Sequence, residues 1–329
     1  MPIFDPRGGD NVHIDQVLSN ISVGWINEQT TVADTLFPSV TVQKQSDLYY
    51  IHGRESWSIN FGGDLRPPAG VANEIPGVRV STDAYFCREH ALQTTVTPEE
   101  RQNADSPLNP DQEAAELVTA KITLGRELAA KDIVLNTDNY LASHVETLTG
   151  TDQFNDYDES SPMTVFRDLY RTFHSVLFTI PNVAIIPWRV MHWLEDHPEF
   201  RERIQYVQAA VPSQDIVANM LGLQQVVVPG GGYDSANPGQ PNDLSYVWEN
   251  DIILAWVPPS PALKTPAFGY EFVWPIYGGE QYVDRWWDID RKADVIRVGR
   301  SYDLKLIAQD DDGNSLAGML IQNAVDMDA

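Results

Sequence analysis

Four places along this 329-residue chain combine residue types that could do chemistry. Asp310, Asp312, Gly313 and Asn314 cluster oxygen ligands of the kind a hard cation wants, as a calcium loop does. The spacing fails, because the glycine is displaced and position 321, where a bidentate glutamate belongs, holds Ile321. A turn is the better reading. His192 and His197 are five residues apart, which misses the one-face spacing of a zinc-binding helix, and no third ligand is evident; both are expected on a helix surface. Gly230 to Gly232 follow a strand-like run, but neither Lys-Ser/Thr nor a helix signal comes after them, so an exposed loop is expected rather than a phosphate cradle. Cys87 has no CxxC partner and reads as a small buried or half-buried residue. The nucleophile elbow Gly-x-Ser-x-Gly does not occur. Scattered carboxylates could pair in space, with no reason to choose one pair. The expectation is therefore a non-enzyme with no catalytic, cofactor-binding or metal site. Nine Trp and thirteen Tyr point elsewhere, since with Arg they are favoured anchors of protein interfaces, although many simply fill cores.

The element that must position everything else is a helix expected from Asn109 to about Leu141. Asn109 is a good N-cap, Pro110 suits the first helical position and Gln112 falls where a capping box puts its acceptor. Asp111 and Glu113 place negative charge on the positive end of the helix dipole. Leu117, Leu124, Leu128 and Leu135 fall on one line, with Ala114, Val118, Ile122, Ala129 and Ile133 beside it. Glu116, Thr123, Arg126 and Glu127 lie opposite and are expected to face solvent or a partner, with Lys121 and Asp132 at the rim. Such a spine needs a sheet or loops to cover it.

Composition narrows the partners. Against 22 Lys and Arg stand 47 Asp and Glu, a formal charge of -25, so phosphate backbones are repelled and sequence-directed DNA binding is not expected. Repulsion between copies predicts that any self-association strengthens as salt or divalent cations rise, the Debye length being about 8 Å at physiological salt. The single cysteine suits a reducing cytoplasm, and the chain shows no export signal and no membrane span.

Taken in order, residues 1–45 read as an extended arm with at most a short helix, of the kind that usually lies on another surface. From Asp47, period-two alternation through Tyr49, Ile51, Trp57, Ile59 and Phe61 returns through Val78, Val80 and Ala84 to Val96, with Gly- and Pro-rich breakers between. This predicts a long two-stranded arm over 46–97. An isolated hairpin is marginal in water, so its aromatics need another surface, in this chain or in a second subunit. Residues 98–160 hold the spine helix. The span 161–281 mixes helices (Met163 to Phe178, Trp188 to about Ile204, Gln214 to Leu221) with short buried strands, and 282–329 returns to strands, with Asp310 to Asn314 as a hairpin turn. The class is α+β.

This order of parts resembles the tailed-bacteriophage major capsid protein family with the HK97-type fold. The resemblance covers nearly the whole chain. It rests most on Asp83 to Leu92 ending in Val96-Thr97-Pro98-Glu99-Glu100, on Asn103 to Leu108 leading into the spine, and on Pro181 to Pro187 before the Trp188 helix. The closing Ser301-Tyr302-Asp303 and Ala317 to Ile321 complete it.

The resemblance implies an N-terminal arm, an extended loop, a peripheral domain on the spine helix, an axial domain and a return to the peripheral sheet. It implies self-assembly into pentamers and hexamers of an icosahedral head around double-stranded DNA, without sequence-specific contact to that DNA. The expected location is the virion capsid, assembled in the host cytoplasm, with a portal and a decoration protein as further partners. Because the arm begins almost at Met1, a separate scaffolding protein is expected. The extended loop would lie over a neighbouring subunit, with Arg54, Trp57 and Arg66 as interface candidates against that neighbour's acidic surface. An encapsulin-like compartment, told apart by protein cargo instead of DNA, and a two-lobed hydrolase, told apart by a perturbed carboxylate in a closed pocket, are the alternatives.

Overall fold

The computed structural model describes residues 31–52, 64–66, 68–72, 74, 80–105, 108–204, 214–236, 239–261, 265–275, 279–310 and 312–326. Its strands in chain order are β1 (Ser39–Thr41), β2 (Ser46–His52), β3 (Val80–Phe86), β4 (Arg88–Val96), β5 (Val145–Thr147), β6 (Val183–Ile185) and β7 (Gln225–Val227). Then follow β8 (Gly232–Asp234), β9 (Leu244–Tyr246), β10 (Ile252–Ala255), β11 (Gly269–Val273), β12 (Gln281–Asp288), β13 (Ala293–Leu306) and β14 (Gly318–Gln322).

The spine helix is present over Pro110–Val134 and stops sooner than its apolar period suggests. Its last carbonyls are taken by side chains from the segment that follows: Asn139 Nδ2 donates to Ile133 O at 2.7 Å and the Tyr140 hydroxyl to Val134 O at 2.7 Å. Asn136 then accepts from Asp138 N, which starts a 3-10 turn instead of another helical turn. The buried line also differs from expectation. Val118, Ile122, Ala130 and Val134 lie on it, but so do Arg126 and Glu127, both expected outside, while Leu117 is 54% exposed. Charged residues at those two positions are buried because carboxylate, guanidinium and backbone partners meet them there.

The chain falls into two compact units. In the first, residues 90–124 and 281–300, Thr97 opens a short helix, Pro98–Asn103, with a reciprocal capping box to Glu100. β12 and the 293–300 half of β13 pair antiparallel from Gln281↔Arg300 to Asp288↔Ala293. Val298 packs on Val118 and Ile122 of the spine. Arg101 joins Asp111 and Asp294 at 2.7 and 2.6 Å, and Arg285 joins Asp294 at 2.9 Å, so charges of alternating sign close this unit. β13 is one strand of 14 residues. Gly299 within it leaves room for an aromatic ring: a Cβ there would lie 2.4 Å from the Tyr282 ring laid across it.

In the second unit, the 302–306 half of β13 pairs antiparallel with β11, and β1 adds to β11 in parallel. A separate five-stranded sheet has the order β5-β14-β10-β6-β7. Its central strand β10 is buried at every residue. The helices Pro162–Leu177, Trp188–Asp196 and Gln214–Leu221 pack on this sheet, with Phe166, Phe173, Leu194 and Val217 in one core with Ile252 and Leu254. At about 25 cal/mol per Å² of apolar surface removed from water, side chains of this size contribute roughly 1.5–3 kcal/mol each. The expected single helix from Trp188 to Ile204 is two, because Pro198 forces His197 into extended backbone between them. The Asp310 turn is present, but β13 and β14 on either side of it do not pair with each other: β14 pairs with β10 and β5.

Candidate assembly interface

β2 and β3 form a two-stranded antiparallel ribbon, in register from Ser46↔Phe86 to His52↔Val80. Strand alternation gives its faces opposite characters. On the inner face, Tyr85 stacks on Phe272 of β11 at 4.7 Å between ring centroids, and Tyr49 meets the same ring at 5.2 Å. The Tyr49 hydroxyl donates to Asp83 at 2.8 Å, and Phe86 N donates to Asp303 Oδ2 at 2.9 Å, so polar groups at the base of the ribbon are satisfied. Burial, followed by the Asp83 carboxylate, holds the Tyr49 hydroxyl well above the usual phenol range. The outer face carries Ser46, Leu48 and Tyr50 opposite Phe86, Ala84 and Thr82. None of these six side chains is charged, and Leu48, Tyr50 and Phe86 are 61%, 67% and 51% exposed.

Cys87 anchors the ribbon where β3 ends. Its amide donates to Gln45 O, Gln45 Nε2 donates back to the Cys87 carbonyl, and its thiol donates to Phe272 O at 3.3 Å. Burial pushes that thiol up to about 11, so it is a packing residue rather than a nucleophile.

The last part of the N-terminal arm is docked on its own chain. Val32, Ala33 and Leu36 of the helix Val32–Leu36 are fully buried, as is Phe37, whose ring lies against Phe268 at 5.7 Å and over Gly269, where a Cβ would sit 2.5 Å from it. Ala33 N donates to the Glu127 carboxylate at 3.0 Å. Arg126 makes two parallel bonds to Glu271 at 3.0 and 2.7 Å and a third to Asp34 at 2.7 Å. Burial opposes the Arg126 charge, but Glu271 and Asp34 outweigh it and hold the guanidinium ionised. Burial raises the Glu127 carboxyl, a shift that Ala33 N and Arg126 moderate. Residues 31–37 thus pack on their own chain; residues 1–30 lie outside the described residues. Sequence reasoning missed this clamp because Arg126 and Glu127 match the polar face of the helical period.

Of the three interface candidates, Arg66 is described: it is exposed and donates from Nε to the Gly70 carbonyl. Arg54 and Trp57 lie outside the described residues.

The chemistry weighed from sequence meets definite geometry. His192 stacks on Trp188 at 5.9 Å, whereas His197, expected on a helix surface, is buried. Its Nε2 lies 3.0 Å from Ser160 Oγ, the pairing of a nucleophile with a base. The proton order is reversed, however. Glu199 N donates to His197 Nδ1, which places the ring proton on Nε2, and the Ser160 hydroxyl donates to the Asp156 carbonyl. Glu199 accepts from Ser161 Oγ and Met163 N and does not orient the imidazole. This group caps helices; it does not activate a serine. Around the turn, Asp310 accepts from Asp312 N, Asn314 N and Asn314 Nδ2, so backbone and amide donors occupy the oxygens a cation would need. Gly232 enters β8 and no helix follows it. Among the described residues no group of three or more His, Cys, Asp or Glu is placed to hold a metal, and no helix is long and apolar enough to cross a membrane.

Comparison with known proteins bears on this architecture. No family model matches the chain. A major capsid protein of Burkholderia phage BcepMu is 24% identical over 245 residues, 74% of this chain and 76% of the relative. Among solved structures, a phage-related protein from Bordetella bronchiseptica superposes with a TM-score of 0.67 at 22% identity, covering 94% of this chain and 97% of that one. The mature capsid of bacteriophage PhiM1 gives a TM-score of 0.55 at 8% identity, over 92% and 89% of the two chains. The likeness in sequence and the likeness in fold agree with the resemblance carried by the residues: this chain is similar in sequence to phage major capsid proteins and has the HK97-type α+β fold.

Proposed function

We propose that the chain is the repeating subunit of an icosahedral phage head, assembling into pentamers and hexamers that enclose double-stranded DNA. The observation that carries this reading is the uncharged outer face of the β2–β3 ribbon, with Leu48, Tyr50 and Phe86 left in water on two strands whose other face is anchored. A ribbon of two strands buries too little by itself, and a neighbouring copy supplies the missing surface. The work of the chain is positional and needs no catalytic group. Its five parts in this reading are the arm 1–45, the extended loop 46–97, the peripheral domain 98–160, the axial domain 161–281 and the peripheral return 282–329. Arg54, Trp57 and Arg66 belong to the inter-subunit contact of the loop. A portal, a separate scaffolding protein and a decoration protein complete the particle, which forms in the host cytoplasm. DNA is held by enclosure, since a chain at -25 repels phosphate.

Electron microscopy of the purified chain and of a variant lacking residues 62–77 tests the proposal. The intact chain is expected to give closed shells, and the deletion to keep its thermal unfolding transition while giving none. A persistent monomer from the intact chain, or normal shells from the deletion, would overturn it.

A further inference from the structure

We infer that the docked part of the arm, residues 32–42, is a strap that sets the pose of the ribbon, so that its seating on β11 fixes how the outer face is offered to a neighbouring copy. The inference rests on the assembly reading and deepens it by naming what controls that contact.

The strap and the ribbon share one strand. By alternation, β11 presents Gly269 and Glu271 on one face and Phe272 on the other. Phe37 lies over Gly269, and Arg126 ties Asp34 to Glu271, so the first face holds the arm helix. Phe272 carries the Tyr85 and Tyr49 rings, so the second face holds the base of the ribbon. At the edge, β1 runs parallel to β11 from Ser39↔Glu271 to Thr41↔Val273. Glu271 N donates to Pro38 O at 3.2 Å and Val42 N to Val273 O at 2.9 Å, which fastens both ends of that short strand.

The arm also builds the socket in which the ribbon sits. Tyr85, Cys87 and Phe272 form a small core of their own, and Val40 and Val42 pack against it together with Tyr49 and Trp274. Without β1, that core loses one wall. Only Gln43, Lys44 and Gln45 lead from Val42 to Ser46, the first residue of β2. Lys44 pairs with Asp47 at 2.8 Å, and Gln45 exchanges two hydrogen bonds with Cys87. A connection this short passes a shift of β1 on to the ribbon, because close-packed side chains cannot absorb it. Two strands alone are marginal, so the pose of the ribbon is that of the surface it packs on. Held in one pose before contact, it gives up less freedom when a neighbouring copy binds.

Native-state hydrogen exchange of the dissociated, unmodified subunit in low urea, read by mass spectrometry, tests the inference. Amides of 39–42, 46–52 and 80–86 are expected to open as one unit, at lower urea than the amides of β10. Ribbon amides that open while 39–42 stay protected would overturn it, and so would a strap and ribbon that open only together with β10. Phe37→Ala removes a ring from the face of β11 opposite the ribbon. It is expected to speed ribbon exchange by about tenfold or more, to leave β10 within about twofold, and to cut shell yield by about tenfold. Phe37→Leu, which returns an apolar side chain to Gly269, should recover most of both. Unchanged ribbon exchange in Phe37→Ala would refute the strap; if that variant fails to fold, the exchange of the unmodified subunit decides. An intact chain that forms no shells removes the assembly reading alone, and the exchange results still uphold or sink the strap.

Discussion

The sheet built around β10 and the ribbon of β2 and β3 solve the same problem in opposite ways. β10 lies between β14 and β6, both its edges are paired, and all four of its side chains are buried. The ribbon has one ladder, one packed face and one wet face. Within a single chain, then, one sheet buries its central strand on every side and the other leaves one face in water. The lesson is that exposed apolar area is informative when it is contiguous, uncharged and backed by a rigid base, as at Leu48, Tyr50 and Phe86, rather than scattered.

The largest expected effect lies at the buried clamp on β11, beside the base of the ribbon. Arg126→Ala leaves Glu271 buried without its guanidinium, so unfolding in urea is expected to show a loss of about 3–5 kcal/mol. A loss below about 1 kcal/mol would mean that the clamp on the arm is incidental. On the wet face of the ribbon, Leu48→Asp with Tyr50→Asp is expected to change subunit stability by less than about 0.5 kcal/mol, as surface changes do. The same variant should cut shell yield about tenfold or more, roughly 1.4 kcal/mol of contact energy. If stability and assembly fell together, the outer face would belong to the fold of the subunit and the contrast would dissolve.

A finer test uses acid. His144 is buried, its ring 2.9 Å from Gly318 O through Nδ1 and stacked at 6.0 Å on Phe173, and burial holds it below the ordinary imidazole range, as it does His197. The unfolded chain therefore binds protons that the folded chain refuses once pH falls through about 6.5. Stability is expected to drop below that pH, by less than about 1.4 kcal/mol per pH unit for each histidine. Burial raises the Glu127 and Asp251 carboxyls, which favours the folded state as pH falls toward the carboxylate range and opposes the loss there. Melting temperatures between pH 7.5 and 5.5 should slope downward toward acid, and His144→Leu should flatten the slope. A flat profile in the intact chain would contradict the assignment.

Much of this was legible in the residues. The cap at Asn109-Pro110, the alternation through Tyr49 and Ile51, and the apolar period of Gln214 to Leu221 each specify an element through local energetics, and the structure holds all three. Other features were hidden because they depend on residues far apart in the chain. Glu271 lies 145 positions from Arg126, so no periodic rule anticipates that a charged position turns inward. Thr97 and Glu100, by contrast, spell a capping box that the pattern reading passed over.

Composition and pattern alone determined that this is an acidic α+β chain with one long helix and an alternating stretch that pairs as the β2–β3 ribbon. Those properties follow from side-chain period, turn chemistry and charge, which act over a few residues or over the sum of all of them. Only the tertiary structure decided which hydrophobic residues stay wet, which charges go inside, and that Gly299 accommodates the Tyr282 ring. Those outcomes depend on which distant surfaces meet, and burial free energy is settled by that meeting and not by the identity of a residue alone.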